Sequence, residues 1–120
     1  MKFLKPFILT LLLSVSSAVA GQVDVIDVKV NGAGENYTFS VTVEHADEGW
    51  DHYANKWEVV GENGEVYGTR ILAHPHVNEQ PFTRQGNAKI PLDVKTVIVR
   101  AYDSLHGAGG KEVTVELPNR

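Results

Sequence analysis

Apolar and polar side chains alternate at every position of Tyr37-Thr38-Phe39-Ser40-Val41-Thr42-Val43-Glu44. Successive side chains of a β-strand point to opposite faces, so this two-residue period predicts a strand with one face buried and the other in water. The same period returns in residues 96–102 and 112–117. No segment carries a convincing apolar stripe with the 3.6-residue period of a helix, so the chain is predicted to be all-β.

Turn signals divide the rest of the chain into further short strands. We predict seven strands, which span residues 23–30, 37–44, 56–60, 65–72, about 87–90, 95–102 and 112–117. The first strand changes phase near Ile26, which predicts a β-bulge in an edge strand. Between the third and fourth strands, Asn63-Gly64 supplies the residue pair typical of a type I′ turn, so we expect a tight hairpin there.

Residues 1–20 have the composition of an export signal. Two lysines precede an apolar stretch at residues 7–13, and Ala18-Val19-Ala20 forms a small-residue cleavage site. Serines interrupt the apolar stretch well before the roughly 20 residues that a membrane span needs, and no later stretch is apolar enough to cross a membrane. We therefore expect a signal peptide at residues 1–20 and a periplasmic or secreted domain at residues 21–120.

Charge and cysteine content exclude several classes of partner. The chain has 11 basic and 15 acidic residues, a net charge of −4, and it becomes more acidic once the two signal-peptide lysines are removed. Nucleic acid and anionic lipid are therefore unfavourable partners. The absence of cysteine excludes disulfides, thiolate chemistry and a lipid-anchoring cysteine, so a hydrophobic core must hold the domain together.

Seven short strands in about 100 residues indicate an antiparallel sandwich. With Trp57 in the third strand and a closing hairpin over residues 99–115, the chain resembles immunoglobulin-like and fibronectin type III-like β-sandwiches. The resemblance implies a seven-strand immunoglobulin-like sandwich in which the loops at residues 45–55, 73–86 and 103–111 share one end. A fold of this kind hosts many functions, so function has to be argued from those loops.

All five histidines lie in these three loops. In an extended segment, residues i and i+2 point the same way, and Pro75 favours that conformation in His74-Pro75-His76. Two imidazoles held side by side, with a third from another loop, would suit Zn²⁺ or Cu²⁺. The predicted metal ligands are His74, His76, His106 and His52, and the supporting or alternative ligands are Asp51, Asp103 and His45.

Other interpretations of the same residues remain open. The histidines could be ordinary loop residues that cap strand ends, and His45 continues an inward-facing phase that predicts a half-buried ring at the rim. Binding by carboxylates alone would favour Ca²⁺, although the loops contain no calcium-binding motif. Asp, Ser and His occur together in residues 103–106, but neighbours in one turn do not generally form a catalytic relay, so we expect a non-enzymatic protein.

Aromatic residues in the same loops support a second hypothesis. Trp50, Tyr53 and Phe82 could form the centre of a surface that binds an envelope protein. Trp50 could equally plug the end of the core, and Phe82 could anchor its loop onto the sandwich. The sequence thus favours an exported domain that binds a divalent transition metal, with a protein-interaction or adhesion module as the alternative.

A further resemblance concerns three motifs together. The combination of Gly49-Trp50-Asp51-His52-Tyr53, His74-Pro75-His76 and Asp103-Ser104-Leu105-His106-Gly107 is similar to small exported bacterial proteins. That resemblance agrees with export and implies no activity.

Overall fold

A computed structural model describes residues 21–120, and the predicted signal peptide lies outside the described residues. The strands are β1 (Asp24–Ala33), β2 (Asn36–Glu44), β3 (Ala54–Val60), β4 (Val66–Ile71), β5 (Phe82–Lys89), β6 (Thr96–Asp103), β7 (Gly107–Ala108) and β8 (Val113–Glu116). Residues 21–120 contain no helix, and the all-β prediction is confirmed. Within this part of the chain, then, no helix is long and apolar enough to cross a membrane.

The strands form two antiparallel sheets. One sheet has the order β1-β2-β5, and the other has the order β4-β3-β6, with β7 and β8 both pairing with β6. The fourth strand pairs with the third, whereas a constant-type immunoglobulin sandwich places its fourth strand in the sheet of the fifth. Buried residues from both sheets belong to one hydrophobic cluster, so the two sheets enclose a common core.

Alternation along the strands produces that core. Tyr37, Phe39, Val41 and Val43 of β2 are all at most 2% exposed, and the residues between them face outward or are only half-buried. Trp57 of β3 is buried as predicted, and its ring crosses the core to lie against Gly86 of β5. A Cβ at Gly86 would lie 2.8 Å from the Trp57 ring, so the close contact between the sheets requires glycine at this position.

The predicted bulge in β1 is confirmed. The β1–β2 register shifts between Val25 and Asp27, which leaves Ile26 without a partner in the ladder and exposed. Because β1 is at the edge of its sheet, the bulge interrupts pairing where an exposed edge could otherwise recruit another strand.

The hairpin between β3 and β4 is present, but its turn is not type I′. Gly64 donates its backbone N–H to the Gly61 carbonyl at 2.9 Å, and Gly61 donates to the Glu65 carbonyl at 2.8 Å. Gly64 has a φ of 91°, whereas Asn63 is not among the described residues with positive φ. A type I′ turn needs positive φ at both central residues, so the three-residue connection with a left-handed glycine is the alternative hairpin geometry.

β5 is longer than the short strand expected near residues 87–90. It begins at Phe82 and pairs with β2 along its whole length, up to the partners Asn36 and Lys89. The sequence around Thr83-Arg84-Gln85-Gly86 has no apolar alternation, because its outward face is polar and Gly86 takes an inward position against Trp57. The strand is therefore defined by its ladder to β2 and not by its own hydrophobic pattern.

Candidate metal centre

Hydrogen bonds accepted by Asp47 hold two of the three histidine-bearing loops together. Its Oδ1 accepts the backbone N–H of Ala54 at 2.9 Å, and its Oδ2 accepts the backbone N–H of His76 at 2.7 Å. The third loop is tied in by Ser104, whose backbone N–H donates to the Tyr53 carbonyl at 2.9 Å. The β2–β3, β4–β5 and β6–β8 connections thus meet at one end of the sandwich.

A compact group of metal-ligating atoms lies where these loops meet. His45, His52 and Asp103 each offer one atom, and these atoms all lie within 4.8 Å of one another. The Nε2 atoms of His45 and His52 are 3.2 Å apart. Asp103 Oδ2 lies 3.4 Å from Nε2 of His45 and 3.6 Å from Nε2 of His52.

The backbone carbonyl of Gly21 completes this group. Its oxygen lies 2.8 Å from Nε2 of His45 and 3.0 Å from Nε2 of His52. We call these four atoms, His45 Nε2, His52 Nε2, Asp103 Oδ2 and the Gly21 carbonyl oxygen, the four-atom cluster.

The other nitrogen of each imidazole is held by a carboxylate. His45 Nδ1 lies 2.6 Å from Asp47 Oδ1, and His52 Nδ1 lies 2.7 Å from Glu48 Oε1. An ionised carboxylate only accepts hydrogen bonds, so each Nδ1 carries a proton. In the neutral ring, each Nε2 then presents a lone pair to the four-atom cluster. Carboxylates behind ligating histidines are the usual arrangement around protein-bound metals.

Four electron-pair donors therefore converge with no donor hydrogen among them when both rings are neutral. Such an arrangement is repulsive unless a cation, either a proton on a ring or a metal ion, lies between the atoms. Bonds of about 2.0 Å in a tetrahedral zinc site separate the ligand atoms by about 3.3 Å. The five measured separations in the cluster run from 2.8 to 3.6 Å, which brackets that spacing.

Asp103 is held in its ionised form. Burial alone would raise the pKa of Asp103, but the backbone N–H and ring of His106, together with the backbone N–H of Leu105, stabilise the carboxylate and hold its pKa below the usual value. Leu105 donates to Oδ1 at 2.8 Å, and His106 Nδ1 lies 3.1 Å from Oδ2. A fully buried carboxylate thus supplies negative charge directly at the cluster.

The pKa of His52 is shifted in the opposite direction, upward, by its partners. The hydrogen bond to Glu48 is the largest influence and raises the pKa of His52, against the opposing effect of burial. The Gly21 carbonyl and Asp103 add to the increase. These partners therefore favour the protonated form of His52.

The structure divides the predicted ligands into two groups. His52 belongs to the four-atom cluster. His106 borders it, and the centroids of the His52 and His106 rings are 4.9 Å apart. His45 and Asp103, predicted as alternative ligands, supply two of its four atoms. His74 and His76 lie in a separate group, in which their rings stack on each other with centroids 4.6 Å apart.

The surroundings of His76 are those of a packed residue. Its ring stacks on Phe82 with centroids 3.9 Å apart, and its Nε2 lies 3.0 Å from the Arg84 guanidinium. Because guanidinium only donates, Nε2 accepts this hydrogen bond, and His76 supplies no atom to the four-atom cluster. Burial, with further contributions from Arg84 and His74, lowers the pKa of His76.

The remaining predicted residues have different exposures. Trp50 is 67% exposed and packs edge-on against Tyr53, so it does not plug the core. Phe82 is 2% exposed, which makes it the anchor of its loop and removes it from any partner-binding surface. Asp51 is exposed and belongs to no described metal-ligand group.

Gly21 was not among the predicted ligands, because a backbone carbonyl leaves no side-chain signal in a sequence. Asp47 and Glu48 are carboxylates of the predicted loops, but their positions behind the two rings depend on loop geometry. The one available hint was the spacing His45-x-Asp47, which places a carboxylate two residues from a histidine of inward phase.

The chain is similar to about half of a longer known protein. The chain is 38% identical over 96 residues to a protein of Halomicrobium mukohataei described as a "Putative lipoprotein". The match covers 79% of this chain and 47% of that protein, so the chain spans about half the length of the curated relative it matches. No protein-family model matches the chain, and no solved structure matches it.

Proposed function

We propose that this protein is an exported, non-enzymatic binding domain that holds a divalent transition metal in the four-atom cluster. The observation that carries the proposal is the convergence of two imidazole nitrogens, a carboxylate oxygen and a carbonyl oxygen, with the opposite nitrogen of each ring fixed by a carboxylate. This arrangement needs a cation, and its donor atoms suit a metal better than a proton, which can serve only two of them at once.

The donor set favours Zn²⁺ or Cu²⁺. Imidazole suits these ions, whereas Mg²⁺ and Ca²⁺ prefer sites made only of oxygen. The chain has no cysteine, and its one methionine is Met1, so soft sulfur ligands for Cu⁺ are lacking. The spacing of the cluster matches tetrahedral Zn²⁺, and an N₂O₂ set also suits Cu²⁺ with small adjustments of the exposed His52 loop.

Export is supported by two observations of different kinds. Residues 1–20 have the pattern of a signal peptide, and the similar protein from Halomicrobium mukohataei is described as a lipoprotein, a class found at the cell envelope. The metal would then be bound in the periplasm or outside the cell.

Elemental analysis and calorimetry test the proposal. The protein is expressed with its own leader and without a histidine tag, analysed for bound metals, stripped with a chelator and titrated with Zn²⁺ and Cu²⁺. We expect one equivalent to bind with micromolar affinity or tighter. His52→Ala should weaken binding by more than the roughly 10- to 100-fold typical of losing an outer hydrogen-bond partner.

The matched control is His74→Ala. His74 is an exposed histidine at the same end of the sandwich but outside the four-atom cluster, so its removal should leave the affinity unchanged. Equal effects of the two substitutions, or no binding above that of a histidine-free control protein, would rule out this site.

Trp50 favours a second candidate function, the recognition of an envelope protein. A large aromatic side chain that is 67% exposed and braced by Tyr53 is the kind of residue that dominates protein interfaces. Capture of a partner from an envelope extract should then depend on Trp50 and persist in chelator. Leu92→Ala is a control, since Leu92 is an equally exposed apolar residue outside the three loops.

A further inference from the structure

Gly21 lies among three of the histidines at the four-atom cluster. Its carbonyl oxygen faces the rings of His45 and His52, and a Cβ on Gly21 would lie 3.1 Å from Cε1 of His106 and 3.6 Å from Cε1 of His52. Any larger residue would crowd the His106 ring. Gly21 also has a φ of 90°, which larger residues rarely adopt, so glycine suits this close approach of the backbone to the imidazoles.

The same residue follows the predicted cleavage site, Ala18-Val19-Ala20. Hydrolysis of the Ala20–Gly21 peptide bond by a signal peptidase consumes one water molecule and releases a new carboxylate on Ala20 and a free α-amino group on Gly21. Standard bond lengths place that nitrogen between about 2.7 and 3.6 Å from the Gly21 carbonyl oxygen. A new basic nitrogen would thus be created within one residue of the proposed metal.

We propose that the α-amino group of Gly21 becomes an additional ligand of the metal, so that the site is completed only in the processed chain. This inference rests on the proposed function and extends it, because it makes metal loading dependent on signal-peptide removal. A metal bound by both the amine and the carbonyl of Gly21 closes a five-membered chelate ring with the residue's own backbone.

The chemistry of the nitrogen changes completely on cleavage. In the precursor, the lone pair of the Gly21 nitrogen is delocalised into the peptide bond, so this atom is not a metal donor. A free α-amino group has a pKa of about 8 and supplies a lone pair when deprotonated. The unprocessed chain therefore retains only the carbonyl of Gly21, and its site is weaker and poorer in nitrogen.

The conformational freedom of glycine allows this second contact. A chelate requires the amine and the carbonyl to lie on the same side of the Cα–C bond, and Gly21 can adopt that rotation without the clash that a Cβ would make with His106. Removal of the leader also leaves the amine with only one covalent neighbour, so it can turn toward the metal.

Two processed forms that differ only at the amino terminus test the proposal. One is the exported chain, whose intact mass should correspond to a start at Gly21. The other carries four inserted residues, Thr-Gln-Thr-Gln, between Ala20 and Gly21, so that no new small-residue cleavage motif precedes Gly21. The free amine is thereby moved away and the Gly21 nitrogen stays in a peptide bond. Residues 21–120, which contain the hydrophobic core described above, are identical in the two forms.

Cu²⁺ is the probe, because its electron paramagnetic resonance spectrum reports the number of coordinated nitrogens. We expect the form that starts at Gly21 to bind Cu²⁺ at least about tenfold more tightly than the extended form, since the amine is held at high effective concentration. Its spectrum should show one more nitrogen coordinated to Cu²⁺ than the spectrum of the extended form. His52→Ala should weaken binding in both forms.

Three outcomes would overturn the inference. Equal affinities with equal nitrogen counts would show that the amine does not bind, and a processed chain that begins at another residue would remove the amine from the site. In both cases the extended form would still bind Cu²⁺ through His52, and the proposed function would stand. If neither form binds Cu²⁺, the proposed function fails together with the inference.

Discussion

His45 and His52 face each other through Nε2 atoms 3.2 Å apart, but the carboxylates behind them lie in very different environments. The Asp47 side chain is fully buried and accepts two backbone N–H groups as well as His45, whereas the Glu48 side chain is 69% exposed and contacts His52 from the surface. One imidazole is thus fixed by the interior of the protein. The other is held by a surface side chain that can move.

This difference predicts unequal effects of two conservative substitutions. Asp47→Asn places an amide group against backbone donors and the His45 ring, which should lower the free energy of unfolding by about 1–3 kcal/mol. It should also weaken Zn²⁺ binding by about 10- to 100-fold, because His45 loses the partner that sets its tautomer. Urea denaturation and calorimetry measure the two effects.

Glu48→Gln is the matched control, since it also replaces a carboxylate by an amide behind a cluster histidine. Because Glu48 is exposed, the free energy of unfolding should change by less than about 0.5 kcal/mol. Equal destabilisation by both substitutions would contradict the distinction between a buried and a surface support.

Proton competition should make metal binding pH-dependent. The hydrogen bond from His52 Nδ1 to Glu48 raises the pKa of His52 above its usual value, so protons compete for Nε2 at a higher pH than they would for an unperturbed histidine. As the pH falls through that range, the apparent Zn²⁺ affinity should fall by about tenfold per pH unit for each proton displaced. Calorimetry in buffers of different ionisation enthalpy counts the protons released.

Glu48→Gln should move this pH dependence to lower pH. The substitution removes the interaction that contributes most to the raised pKa of His52, so protons begin to compete only at a lower pH. A binding curve that is independent of pH between about 5 and 8 would exclude histidine as a ligand.

Metal binding should stabilise the fold. An ion that binds only the folded state at 100 times its dissociation constant increases the free energy of unfolding by about 2.7 kcal/mol, which corresponds to a rise in Tm of roughly 10 °C or more for a domain of this size. Thermal denaturation with and without Zn²⁺ measures the shift. His52→Ala should remove most of it, and a shift of the same size in that variant would place the bound metal elsewhere.

His76 should make the metal-free protein less stable at low pH. Its pKa is lowered by burial and by Arg84, so below about pH 6.5 the unfolded chain binds more protons than the folded chain. The free energy of unfolding therefore decreases as the pH falls from about 6.5 through the folded pKa. His76→Phe removes this contribution and keeps a ring against Phe82, so its stability should decrease less between pH 8 and pH 5.

Urea denaturation in the presence of a chelator isolates this effect from metal binding. His74→Phe serves as the control, because it introduces the same side chain in place of the neighbouring histidine, which is exposed. If the pH profiles of the wild type and His76→Phe run parallel, His76 does not titrate as proposed.

The fold was largely predictable because its strands depend on local patterns. Alternation identified β2, β6 and β8, and the phase change at Ile26 located the bulge in β1. The start of β5 was not predictable in this way. Its first half pairs with β2 through the backbone, and its inward position at residue 86 is a glycine, so the hydrophobic pattern contains a gap where Trp57 packs.

The end of the sandwich that carries the candidate site was predictable from topology, but the contacts within it were not. The spacing of His74-Pro75-His76 correctly suggested two neighbouring rings, yet His76 faces Phe82 and Arg84. The inward phase of His45 predicted a half-buried ring, whereas the ring is buried. The hydrogen bond between Asp47 and Nδ1 of His45 turns Nε2 toward the four-atom cluster. Such orientations depend on hydrogen bonds between loops, which one sequence does not encode in its local pattern.

Gly21 and Asp103 both supply an atom to the four-atom cluster, and this has a consequence for the folding of a chain without cysteine. A metal bound by both residues would cross-link positions about 80 residues apart and close a loop that includes nearly every strand. Cross-links of that span restrict the unfolded chain, as disulfides do, but this one would be made and broken by the free concentration of an ion and not by a redox potential. The rigidity of the domain would then report how much metal its surroundings contain.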